Sequence, residues 1–276
     1  MLLKGKDRSD NMYDFGFIGA GNMGSALAKA VCAKTKSVLI CDADENKAAS
    51  LARELGCESG KIEDVAEKCS YIFIAVKPQV LAEMFAGISG ILKARSDRFI
   101  LVSMAAGTAI SKIVALAGTD APVIRIMPNV ACAAGEGMIL SARNESVTDD
   151  EYDRFIEAMS ESGKIDKISE EKIDSYSIVS GCGPAYVYLM LEALADAQVA
   201  IGVPRDKAYL YSAQTLKGAA ELMLSTGRIP AELKDSVCSP GGTTIEGVKA
   251  LEQGSFRADV INAVSASYKR TKELGK

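Results

Sequence analysis

Phe15-Gly16-Phe17-Ile18-Gly19-Ala20-Gly21-Asn22-Met23-Gly24 is the stretch from which the rest of the chain can be read. Phe15 to Ile18 is a short apolar run, the mark of a buried strand. The next six residues follow the G-x-G-x-x-G pattern, and Ser25 to Ala33 has the apolar spacing of a helix. Strand, glycine turn and helix in that order form the setting in which this pattern binds dinucleotides. Gly19 would permit the tight turn, Gly21 a close approach of a pyrophosphate to the backbone, and Gly24 close packing of helix on strand. The first turn of a helix also offers unpaired N–H groups and a positive dipole end to phosphates. The same glycines could make a plain turn with no ligand; the flanking strand and helix favour binding.

Working outward, Ser37 to Cys41 reads as a second strand, and Asp42 follows 18 residues beyond Gly24. An acid near this spacing accepts the ribose hydroxyls of NAD, whereas a base there suits the 2′-phosphate of NADP. Asp42 and Asp44 therefore point toward NADH. Either acid could instead cap the helix that begins near Glu45, and the sequence leaves the two readings level. Asp44 to Leu55 has helical period and ends at Gly56, and Ile62 to Lys68 is a short helix. Tyr71 to Val76 is almost wholly apolar, as expected of a parallel strand covered on both faces. Lys77-Pro78 ends it, with Pro78 placed to open the next helix. Phe99–Ser103 and Pro122–Met127 repeat the strand pattern, followed by Ala105-Ala106-Gly107 with a helix from about Thr108, and by Pro128-Asn129. This alternation predicts an α/β fold with a Rossmann-type, doubly wound, mainly parallel sheet. Ligands of such sheets sit beyond the carboxyl ends of the strands, the edge shared by the segments after Ile18, Val76, Ser103 and Met127. Gly137–Ser141 reads as an added edge strand. Thr148–Ser162 is predicted as a helix with a Thr148/Glu151 capping box, and Lys164–Ile168 closes the sheet region.

From Glu170 the strand signals stop. Ser180-Gly181-Cys182-Gly183-Pro184 reads as a flexible joint with Pro184 at a helix start. The helix from Pro184 to Ile201 is apolar nearly all round, so it must be covered on every side. About 100 residues of helix bury little by themselves, which predicts cover from a second chain. Gly202 and Pro204 turn the chain into a helix from Arg205 to Ser225, and Gly227 and Pro230 break it again. Ser239-Pro240-Gly241-Gly242-Thr243-Thr244 then runs into a helix from Thr243 to Leu251. Its hydroxyls and free helix N–H groups suit a carboxylate, or serve as ordinary caps. A last helix covers Phe256 to Glu273. The domains expected are an extension over 1–12, a dinucleotide-binding domain over 13–168, and a helical domain over 169–276.

The composition agrees with this plan. At about 150 residues per domain, 276 residues suggest two domains. A net charge of −4 and a pI near 5.2 argue against a nucleic-acid surface. The apolar stretch from Ala185 to Val203 is broken by Glu192, Asp196 and Gln198, so no membrane span is expected. The opening MLLKGKDRSDN lacks the apolar core of a secretory signal. Seven cysteines without a C-x-x-C pair read as free thiols of a reducing cytoplasm. No histidine is present. That removes the commonest metal ligand and acid–base group, and no metal site is expected.

Several of these segments, in this order, resemble the pyrroline-5-carboxylate reductase family. They are GFIGAGNMG in the first turn, AVKP at Ala75–Pro78, AAG at Ala105–Gly107, VIRIMPN at Val123–Asn129, SGCGPAY at Ser180–Tyr186, LKDSVCSPGGTTIEG at Leu233–Gly247 and GSFRADVINAV at Gly254–Val264. Cys182 stands where relatives commonly have serine. The resemblance implies a Rossmann domain with a helical dimerisation domain, a homodimer often built into rings such as decamers, and reduction of 1-pyrroline-5-carboxylate to L-proline with NADPH or NADH. It implies a cofactor lining of Ile18, Gly19, Ala20, Gly21, Asn22, Met23, Gly24, Asp42, Ala75, Val76, Lys77, Pro78, Ala105, Ala106, Gly107 and Asn129. Ser239, Gly241, Gly242, Thr243 and Thr244 would hold the substrate, with Thr244 the catalytic candidate at the ring nitrogen. The family generally prefers NADPH, against which Asp42 and Asp44 stand. The β-hydroxyacid dehydrogenases share the glycine turn but carry a lysine early in the helix after the linker; Pro184 to Leu191 has none. A non-enzymatic dinucleotide sensor would need no carboxylate site.

Overall fold

The computed structural model describes residues 12–274; the extension expected over 1–12 therefore lies almost wholly outside the described residues. Among those described, eight strands form one sheet in the order β3-β2-β1-β4-β5-β6-β7-β8. The strands are β1 (Tyr13–Ile18), β2 (Val38–Cys41), β3 (Glu58–Ser59), β4 (Cys69–Ile74), β5 (Ile100–Ser103), β6 (Val123–Met127), β7 (Gly137–Arg143) and β8 (Gly163–Lys167). β1 to β6 pair in parallel, with Ile18 opposite Cys41 on one side and Ile74 on the other. β7 runs antiparallel to β6, and β8 lies parallel to β7. β7 is therefore not the edge strand that the sequence suggested. Its outer side is taken by β8, whose alternating polar residues mark an exposed edge. β3, two residues long, has too little apolar pattern to be read from sequence.

The strands are apolar on both faces because both faces are covered. Phe15, Phe17, Tyr71, Phe73, Val102 and Ile124 pack with α1 (Asn22–Lys34) and α6 (Asp149–Ala158). Their neighbours Ile18, Ile72, Ile74, Leu101 and Val123 point to the other face. There they pack with α3 (Ile62–Lys68), α4 (Leu81–Ala94) and α5 (Ile110–Ala117). Phe17 stacks on Phe73 with ring centroids 4.4 Å apart, joining β1 to β4 at the centre of the first face. α2 (Glu45–Leu55) ends at Gly56 in the left-handed conformation. α6 starts on the expected Thr148/Glu151 capping box, but it stops at Ala158, and Ser160–Ser162 is a single 3-10 turn.

The remaining helices are α7 (Glu170–Ala200), α8 (Arg205–Thr226), α9 (Pro230–Ser236), α10 (Thr243–Gln253) and α11 (Phe256–Leu274). The chain divides into two compact units, one built on residues up to Gly181 and one of Cys182–Lys272. The expected joint at Ser180–Pro184 falls at this division, yet it is no loop: α7 is helical straight through Pro184. A proline inside a helix frees the carbonyl four residues earlier, here that of Ser180. Asn129 Nδ2 donates to that oxygen at 2.9 Å and replaces the missing N–H. Because α7 continues through these residues, it is long and apolar enough, on length and composition, to cross a membrane.

The Cys182–Lys272 unit keeps few apolar groups from water. Ala195, Ala208 and Ser212 are buried. Tyr188 is 63% exposed, Leu189 69% and Ile201 80%, and Leu210, Leu224 and Ile261 are exposed as well. Inside the unit, Gln198 Nε2 bonds Ser212 Oγ at 2.8 Å, linking α7 to α8. Tyr186 Oη lies 2.6 Å from Ser267 Oγ on α11. An exposed apolar surface of this extent marks an association face.

Candidate functional site

Because β1, β2, β4, β5 and β6 are parallel, the segments that follow them emerge at one edge. At its centre the chain leaves β1 through Gly19, whose φ of +109° few other residues adopt. Gly19 N–H donates to Cys41 C=O at 2.8 Å, and Ala75 N–H donates to Ile18 C=O at 2.9 Å. A Cβ on Gly19 would lie 2.7 Å from the Ala75 carbonyl oxygen, and one on Gly24 2.1 Å from that of Gly19. Packing alone explains those two glycines. Gly21 differs: a Cβ there would meet nothing within 4 Å, so no protein group accounts for its bareness. Gly21 is the N-cap of α1, with no side-chain cap bond and no acid in the first turn. Backbone donors and an open cradle thus meet at one point, which fits a dinucleotide pyrophosphate. Ile18 and Ala20 are buried beneath this turn, Asn22 is exposed above it, and Met23 is half-buried against the first-face core.

The two acids after β2 take different parts. Asp44 Oδ1 accepts the N–H groups of Asn46 and Lys47, at 3.1 and 3.3 Å, and caps α2. Asp42 does not cap. Its Oδ2 accepts Ala20 N–H at 2.6 Å and its Oδ1 accepts Asp44 N–H at 3.0 Å, tying the end of β2 to the glycine turn. Lys47 Nζ stands 4.0 Å from Asp42 Oδ2. Beside it, burial pushes the Cys41 thiol up to about 12, so it stays protonated. Ser25 Oγ donates to Ala20 C=O at 2.9 Å and fixes the other side of the turn.

The other expected cofactor residues lie along the same edge. Ala75 and Val76 are half-buried and Lys77 is exposed. Pro78 opens one 3-10 turn, Pro78–Val80, ahead of α4 rather than the helix itself. Ala105 is buried, Ala106 and Gly107 are exposed, and Gly107 has a φ of +65°. Asn129, after β6, is buried; its amide nitrogen holds Ser180 C=O while its Oδ1 has no partner. Close by lies a group that sequence reasoning passed over. Arg125 is buried in β6 and bonds Asp174 at 2.6 Å and Glu170 at 3.3 Å, and Glu170 also accepts Ile110 N–H at 2.7 Å. The signal was present: Arg125 is the one charge in the otherwise apolar run Val123–Met127, and a buried charge needs a partner.

The residues expected to hold the substrate belong to the second unit. Ser239–Gly242 is a turn closed by Gly242 N–H donating to Ser239 C=O at 3.0 Å. Pro240 and Gly241 (φ +67°) occupy its central positions, as a type II turn requires. α10 begins at Thr243 with Gly242 as N-cap and no side-chain cap bond. The hydroxyls of Ser239, Thr243 and Thr244 therefore do not cap the helix. All three residues are exposed.

These features define a Rossmann-type dinucleotide-binding protein carrying a helical unit with an uncovered apolar face. Residues 14–107 match a family model described as NADP oxidoreductase coenzyme F420-dependent, and residues 170–274 match one described as pyrroline-5-carboxylate reductase dimerisation. A pyrroline-5-carboxylate reductase of Glycine max is 37% identical over 95% of this chain and 96% of its own length. One of Escherichia coli is 36% identical over 95% and 98%. Among solved structures, the Coxiella burnetii reductase superposes with a TM-score of 0.87 at 29% identity, over 96% of this chain and all of its own. The Plasmodium falciparum reductase with NADP bound gives 0.82 at 31%, over the same shares. The chain belongs to the pyrroline-5-carboxylate reductase family.

Proposed function

We infer that this chain reduces 1-pyrroline-5-carboxylate to L-proline with NADPH or NADH. The observation that carries the reading is likeness along 95% of the chain to reductases of that name, and the bare, uncapped turn at Gly21 agrees with it. The dinucleotide, when bound, supplies the hydride. The chain's part is to hold and orient. The backbone at Gly19–Gly24 takes the pyrophosphate, and Val76–Pro78, Ala105–Gly107 and Asn129 line the same edge. The Ser239–Thr244 turn takes the substrate carboxylate on its free N–H groups, with Gly241 and Gly242 letting it approach. Thr244 Oγ1 hydrogen-bonds the ring nitrogen, which gains a proton as the C=N carbon gains hydride. With no histidine in the chain, that proton comes from water. Fixing both reactants face to face supplies much of the rate.

The active form in this reading is a homodimer in the cytoplasm, closed over the exposed faces of α7 and α8 and extended to a ring such as a decamer. The test of function is oxidation of NADH and NADPH, followed by absorbance, on adding pyrroline-5-carboxylate to the purified protein. Substrate-dependent oxidation with proline as product is expected. Nucleotide binding without turnover would leave a dinucleotide sensor in its place.

A further inference from the structure

We propose that Asp42 makes this chain select NADH over NADPH. The inference rests on the reading of the glycine turn as the cofactor site. In a Rossmann sheet the adenosine ribose lies against an acidic residue at the carboxyl end of the second strand, here the first residue beyond β2. Here that residue is a carboxylate that cannot swing away, because its two oxygens are held by Ala20 N–H at 2.6 Å and Asp44 N–H at 3.0 Å. Each carboxylate oxygen has two acceptor sites. One on each is used, and one on each remains to accept from the two ribose hydroxyls of NADH. A 2′-phosphate replaces a donor with an anion at that spot and has nothing to give.

The surroundings do not reverse this. Asp44 is fixed beside it as the α2 cap, and Glu45 opens the same helix. The turn thus sets Asp42, Asp44 and Glu45 against Lys47. The Lys47 ammonium is 4.0 Å from Asp42, beyond a good hydrogen bond, and half exposed to water. A site built for the phosphate would place a base where Asp42 stands.

Dissociation constants for NADH and NADPH, measured by titration calorimetry without substrate on the wild-type protein and on Asp42→Asn, test the proposal. Asparagine keeps one oxygen for Ala20 N–H and removes the charge; thermal melts of both proteins check the fold. Expected are tighter binding of NADH than of NADPH by the wild type, and a ratio shifted about tenfold toward NADPH in the variant. Tighter binding of NADPH by the wild type would overturn the proposal, even if the variant fails to fold. So would an unchanged ratio in a folded variant. Binding of neither nucleotide would instead overturn the cofactor site itself, and this inference with it.

Discussion

Gly21 and Gly24 lie three residues apart in one turn, yet alanine should act oppositely at the two. At Gly24 the added Cβ would stand 2.1 Å from the Gly19 carbonyl oxygen, and real Cβ contacts stop near 3.0 Å, so main chain must move by about 1 Å. Alanine gains about 1 kcal/mol over glycine as a helix residue, but overpacking against backbone, which cannot rotate aside, falls in the upper part of the usual range, about 2–3 kcal/mol. The net is a loss of about 1–2 kcal/mol, or a Tm lower by roughly 2–8 °C for a domain of this size. At Gly21 the backbone is extended, with φ −69° and ψ 179°, which alanine adopts freely, and nothing lies within 4 Å of its Cβ. Gly21→Ala should therefore keep the Tm, or raise it slightly by restricting the unfolded chain by about 0.4–1 kcal/mol. Its methyl would stand where the pyrophosphate meets the backbone. Loss of one charge-assisted bond, about 1.5–3 kcal/mol, weakens nucleotide binding roughly 10- to 100-fold. Thermal melts and nucleotide titrations on both variants give the two readouts. A Gly21→Ala protein with normal melting and wild-type nucleotide affinity would refute the cradle, and a Gly24→Ala protein with wild-type melting would refute the packing argument.

Thr244→Ala should lower kcat with little change in KM, and Gly242→Val should raise KM; equal loss of nucleotide affinity in both would make the turn structural. Leu189→Asp should convert dimer to monomer in light scattering, since a charge buried in an apolar contact costs several kcal/mol; a wild-type mass would show that the 69% exposed Leu189 stays outside the interface. Asn129→Ala strips Ser180 C=O of its donor but also removes the unpartnered Oδ1, so the expected loss in urea unfolding is near the low end, about 1 kcal/mol; an unchanged midpoint would refute it. Arg98 holds Glu151 at 2.8 and 2.9 Å, and that bond first, with Thr148 N–H helping, pulls its carboxyl from 4.5 to about 2. The folded pKa is lowered, so the contribution is full above about pH 4.5 and fades as pH falls toward 2. Arg98→Gln should thus cost about 1 kcal/mol at pH 6, discounted for an exposed guanidinium, and less at pH 3; equal differences at both pH values would count against it.

Much of the chain was legible because its signals are local. The strand–glycine–helix run, the both-face apolar strands and the Thr148/Glu151 box each depend on residues within one turn or one strand. Those elements stand nearly where the sequence places them. What the sequence misread depended on partners far along the chain. Glycines and a proline at Ser180–Pro184 argue for a break by their own propensities. The helix persists because Asn129, 51 residues earlier, takes the carbonyl that Pro184 leaves free. β7 looked like an edge because its partner β8 is polar and exposed. Asp42 and Asp44 were equal as sequence, since both precede a helix. Only the fold, by setting the glycine turn beside the end of β2, made Asp44 the cap and Asp42 the clamp. Local propensity fixes which elements form, while the contacts between elements decide which carbonyls, charges and faces are left to find a partner.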